Sequence, residues 1–150
     1  MTLQRILFTL VRIVLGTVFL AHGIDKLETG LDQIADWFGS IGLPAWLAFV
    51  VAYAEMLGGA ALIVGIASRL AASCFAVIMV GAILWVKLPI GLLGDGGMTG
   101  YELDLSLLVM SLFVASSPRL GYGVWQVFDS GAANEPIEAR ADKGEQASAP

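Results

Sequence analysis

The segment PAWLAFVVAYAEMLGGAALIVGI, residues 44–66, decides the fold. A bilayer crossing takes roughly 20 mostly apolar residues, and this stretch supplies them around a single charge, Glu55. No other charged residue occurs between Trp37 and Ser68. An ionisable group at membrane depth costs roughly 2.5–3.5 kcal/mol on insertion scales, so it faces protein, takes a partner and commonly has a function. Ala48, Ala52, Glu55 and Gly59 share one narrow helical face of small residues. Small residues let membrane helices approach closely, so the spacing predicts that Glu55 lies at a helix–helix contact.

Working outward, three further stretches have the length and apolar character of spans: about 6–24, 70–88 and 101–117. The chain is 57% hydrophobic and 14% charged, with a mean hydropathy of +0.81. Soluble domains carry about 25% charged residues, so the composition is that of a membrane protein. The expected fold is all-α: a four-helix transmembrane bundle over residues 1–128, with a tail over 129–150 that has little to bury and is expected to be disordered. Arg12 interrupts the first apolar run and no Ala-x-Ala site follows it, which argues against a cleaved signal peptide. With four spans both termini share one side. Arg5, Arg69, Arg119, Arg140 and Lys143 fall there, against Lys26 and Lys87 opposite, so both termini are expected in the cytoplasm.

In the first span Arg12, Gly16, Phe19, Gly23 and Lys26 recur on one face, which should meet the bundle. Within 28–43, Leu31, Ile34, Ala35, Phe38 and Ile41 have helical spacing opposite Asp32 and Asp36. This predicts a short amphipathic helix on the outer surface, anchored by Trp37. The loop 89–100 is Gly-rich, and a spanning fourth helix must draw Tyr101, Glu102 and Asp104 into its first turn. Glu102 and Asp104 differ by about 200° around the axis, so only one can point squarely inward.

Two constellations could carry chemistry. Arg12 and Glu55 fall at similar depths counted from the cytoplasmic side and are expected to form a buried ion pair, either fixing register or walling a polar path. His22, Lys26, Lys87, Tyr101, Glu102 and Asp104 gather at the outer helix ends. Imidazole, ammonium, phenol and carboxylate groups there could bind ligand oxygens or relay protons; for Lys26 and Lys87 interfacial snorkelling and helix capping are the expected reading. Other classes are excluded or unsupported. The single histidine rules out bis-histidine haem ligation by one chain, and no metal-ligand spacing occurs. The lone Cys74 forms no CxxC and reads as a packing residue. The net charge of −5 and the lack of a basic cluster point away from nucleic acid.

Arg12 followed by His22-Gly23 and Lys26, then Gly42-Leu43-Pro44, Glu55 with Gly58-Gly59, Gly65 through Arg69, and Gly100-Tyr101-Glu102 form an ordered set. In that order and spacing the chain resembles the DoxX family of small four-helix membrane proteins over about residues 5–128. The stretch from Arg119 to Asp129 departs from the family pattern. The resemblance implies a bacterial or archaeal inner-membrane protein of redox metabolism, linked to sulfur oxidation or oxidative stress. It also implies quinone as ligand, lipid as environment and a separate redox protein as partner. No family catalytic residue carries over. On this reading His22, Lys26, Tyr101 and Glu102 form an outward pocket for a quinone head group. Two alternatives stay open: a scaffold recruiting soluble redox enzymes, and a small proton-coupled exporter. The small-residue faces would also suit a homo-oligomer.

Overall fold

A computed structural model describes residues 2–97 and 99–116. The tail expected from 129, and the segment 119–129 that departs from the family pattern, lie outside the described residues. The architecture is all-α. Helix α1 spans Thr2–Thr29, α2 Leu31–Ser40, α3 Trp46–Val64, α4 Ser68–Gly81 and α5 Glu102–Ser116. Between α4 and α5 the chain winds as a π-helix over Ala82–Lys87 and a 3₁₀ turn over Leu88–Ile90. Among the described residues three helical stretches are long and apolar enough to cross a membrane: Leu3–Thr29, Trp46–Val64 and Ser68–Ile90. The described part of α5 has 15 residues, too few at 1.5 Å per residue to cover a hydrocarbon core of about 30 Å on its own.

The packing is that of two helical hairpins. Helix α1 lies along α3, α4 lies along α5, and the hairpins meet through α3 with α4 and α1 with α5. Glycine sets the first contact. A Cβ built on Gly59 would stand 2.6 Å from the Leu20 amide nitrogen, and one on Gly23 would stand 2.6 Å from that of Met56. No side chain could be accommodated at either position without moving the backbone, so the glycines fix how α1 slides along α3. The predicted faces are the observed ones: Arg12, Gly16, Phe19 and Gly23 are buried on α1, as are Ala48, Ala52, Glu55 and Gly59 on α3. Where the hairpins meet, the Phe19 and Phe75 rings stack at 3.7 Å and 12°, with Leu15, Leu62, Ala72 and Val114 completing a fully buried core.

Helix α1 continues about five residues beyond its expected end, and α2 follows Gly30 directly. Helix α2 is amphipathic as expected. Ala35 and Phe38 are buried in a small cluster with Ala48, while Asp32 and Asp36 face outward and Trp37 is exposed. The turn from α3 to α4 uses left-handed backbone at Gly65 and at Ala67. The loop before α5 is closely tied. Gly94 bridges Thr99, and the amides of Tyr101 and Glu102 donate to the carbonyls of Gly91 and Leu92. A Cβ on Gly100 would fall 2.0 Å from the Leu92 carbonyl oxygen, so this turn closes only around glycine.

Candidate functional site

Glu55 is buried at the α1–α3 contact, and its partner is Lys26. The lysine Nζ donates to Glu55 Oε2 at 2.5 Å, with the lysine side chain 22% exposed and the carboxylate 4%. The expected pairing of Glu55 with Arg12 is therefore corrected. The reason lies in the glycine register. Gly16 packs on Gly59 and Gly23 on Ala52 and Met56, which sets the level of Glu55 opposite residues 20–24 of α1. Arg12 is one turn before Gly16, toward the other end of α3. Lys26 sits one turn beyond Gly23, and helical side chains lean toward the helix N-terminus. Its stem thus reaches back to Glu55 rather than out to the interface. Arg12 is itself buried, at 3% exposure.

A second lysine–carboxylate pair stands at the end of the other hairpin where the π-wound segment meets α5. Lys87 Nζ donates to Asp104 Oδ2 at 2.7 Å and reaches the Gly100 carbonyl at 3.5 Å. The snorkelling expected of Lys87 gives way to this inward pair. Asp104 is buried and Glu102 exposed, so Asp104 takes the inward direction that only one of them could have. The pattern of α5 carries the signal. Asp104, Leu107, Ser111 and Val114 recur at helical spacing and are its buried face, and Glu102 lies off it. Lys87 closes the π-wound segment. π-turns are rare and frequent at functional sites.

Of the proposed pocket residues, the structure joins Lys26 to Glu55, a residue first assigned to a different pair. His22, one turn before Lys26, is exposed on α1 and lies within electrostatic reach of Glu55. Tyr101 is half-buried and Glu102 exposed at the start of α5, both held by the loop through backbone hydrogen bonds. Among the described residues no hydrogen bond or ion pair joins His22 or Lys26 to Tyr101 or Glu102. Among the described residues no group of three or more histidine, cysteine, aspartate or glutamate side chains is placed to hold a metal. Chemically, the arrangement offers an ammonium donor backed by a buried carboxylate, with an imidazole one turn away.

The DoxX family model matches residues 7–88. The chain belongs to the DoxX family. It is 37% identical over 106 residues to a Bacillus subtilis protein named "Putative oxidoreductase CatD", covering 71% of this chain and 75% of that one. It is 34% identical over 128 residues to a Mycobacterium tuberculosis protein named "Uncharacterized membrane protein Rv3486", covering 78% and 76%. No solved structure is a significant match. As a DoxX protein with three helices fit to cross a bilayer, the chain is a membrane protein in contact with lipid. The DoxX match spans α1 through the π-helix, so it includes Lys26, Glu55 and Lys87 and stops before Asp104.

Proposed function

We propose that this DoxX protein is a quinone-linked redox subunit of the bacterial or archaeal inner membrane, acting with a separate electron-transferring protein in sulfur or oxidative-stress metabolism. Helix α5 makes the fourth crossing, both termini face the cytoplasm, and the Lys26 and Lys87 ends of the hairpins face outward. Asp104 enters the membrane edge in the first turn of α5 because Lys87 neutralises it. The head group sits at the outer end of the α1–α3 hairpin. His22 and Lys26 contact its oxygens, and Tyr101 and Glu102 form the rim contributed by α5.

One observation carries this reading: a partly exposed ammonium held over a buried carboxylate at the C-terminal end of α1. Ligand sites are mostly apolar with a few convergent polar groups, and apolar helix surfaces flank this pair. The oxidoreductase name of the Bacillus relative supports redox chemistry. The exporter reading needs an acid left to titrate alone; Lys26, rather than Arg12, now stands against it.

The test is binding of a short-chain benzoquinone to the purified full chain. Lys26→Met and His22→Ala should each weaken binding by about tenfold or more, about 1.4 kcal/mol. Asp25→Asn should change nothing, because Asp25 is exposed beside the site. A wild-type protein that binds no benzoquinone, yet captures a soluble redox enzyme irrespective of Glu55, would replace this reading with the scaffold.

A further inference from the structure

We infer that the two hairpins part beyond the Phe19–Phe75 stack, and that the cleft between them holds the apolar chain of a lipid-soluble ligand whose ring lies on His22 and Lys26. The inference rests on the quinone reading above and adds to it where the chain of the ligand lies.

The burial of single helix faces carries it. Phe8 of α1 meets Phe113 of α5, and Phe19 stacks on Phe75 of α4, so this face of α1 is turned to the other hairpin. Leu15 and Phe19 on it are fully buried. Two turns further on, at nearly the same angle round the axis, stand His22 and Lys26. Yet His22 is exposed and the Lys26 side chain is 22% exposed. Cover is lost on the facing walls as well. On α4, Phe75 and Met79 are buried, but no residue of Ala82–Lys87 is, and Ile83, one turn beyond Met79, is half-buried. On α3, a Cβ on Gly58 would stand 2.8 Å from the Phe75 ring, whereas Ala54, one turn away toward the start of α3, is half-buried. The α4–α5 hairpin itself stays closed at this end through Lys87 and Asp104. The opening is therefore between the hairpins, not within one.

Leu62, Glu55 and Ala48 share one face of α3 at two-turn spacing. Leu62 belongs to the core between the hairpins, and Ala48 to a separate cluster with Ala35 and Phe38 of α2. The Lys26–Glu55 pair occupies the interval between these clusters. Helix α2, whose acids Asp32 and Asp36 are exposed, covers the site on its aqueous side, so an occupant enters sideways from lipid. The pair at the rim is neutral as a unit, and the ammonium has three donors, one of them held by Glu55. That suits a neutral ring with acceptor oxygens better than the phosphate of a phospholipid.

The experiment uses the full chain in mild detergent with isotope-labelled methionine methyl groups. The probe is a fully substituted para-benzoquinone with a nitroxide on its alkyl chain, which broadens the signals of nearby methyls. The expected result is loss of the Met79 signal ahead of the other methionines, and its return when unlabelled chain-bearing quinone is added in excess. Ile83→Trp, which fills the cleft, should keep the Met79 signal, and Leu84→Trp, at the exposed neighbouring position, should behave as wild type. Quinone binding that spares Met79 overturns the inference and leaves the quinone reading standing. So does a Met79 loss reproduced by a ringless nitroxide alkane, or by a nitroxide phospholipid that the quinone does not displace. Absence of quinone binding, read by calorimetry, overturns both. The wild-type titration decides the matter even where Ile83→Trp fails to fold.

Discussion

The two lysine–carboxylate pairs do the same electrostatic work in different surroundings. Lys26–Glu55 joins two regular helices whose register is locked by glycine against backbone. Its carboxylate lies mid-helix, away from the unsatisfied amides of either helix end. Lys87–Asp104 joins a π-wound segment to the first turn of α5. There the acid also faces the positive end of a helix, whose first amides lack intrahelical partners. One carboxylate depends chiefly on its lysine, with the exposed His22 in electrostatic reach, whereas the other has the helix terminus as a second source of stabilisation. The pair that depends chiefly on one partner is the one that loses most when that partner is removed.

The largest effect should come from breaking the register on which the first pair rests. Gly59→Val places side-chain atoms against the backbone of Leu20 and Gly16, and overpacking that only backbone shifts can relieve costs more than about 3 kcal/mol. Little folded protein should survive detergent extraction, as read by size-exclusion profile and thermal melting. Next comes Lys26→Met, which strands Glu55 in the core; removing one partner of a buried pair costs about 3–5 kcal/mol. Lys87→Met should cost less, about 1–2 kcal/mol, because the α5 terminus still favours the Asp104 charge. Equal losses in the two lysine variants would erase the distinction between the pairs. Smaller still is Glu55→Leu, on the order of 1 kcal/mol, since the Lys26 stem can carry its charge to the surface. Gly39→Ala in α2 marks the floor. Nothing lies within 4 Å of its new methyl, and alanine gains helix propensity, so the melting temperature should hold or rise slightly.

Much of this was legible before any coordinates. The small-residue faces of α1 and α3 and the amphipathic α2 follow from spacing, because helical periodicity and glycine content are properties of single segments; the family came from the resemblance of its ordered motifs to DoxX proteins. Partner choice was not. Depth counted from chain ends made Arg12 the natural partner of Glu55, but the sliding of α1 along α3 is set by which glycine meets which backbone, a property of two segments together. The rule that helical side chains lean toward the N-terminus would have favoured Lys26 once that register was known. Asp104 was within reach of pattern alone, since Leu107, Ser111 and Val114 define its face. The π-turn was not, because its extra residue per turn leaves no compositional mark on AILWVK.

The partner of Glu55 can be measured directly by paired double-mutant cycles on thermal or denaturant unfolding of the purified protein. One cycle combines Lys26→Met with Glu55→Leu, and the other combines Arg12→Leu with Glu55→Leu. Groups in contact couple by about 0.5–3 kcal/mol, whereas distant ones add to within about 0.5 kcal/mol. The account predicts coupling near the upper end for Lys26 with Glu55, the double variant being more stable than Lys26→Met alone, and additivity for Arg12 with Glu55. Additivity in the first cycle together with strong coupling in the second would contradict it.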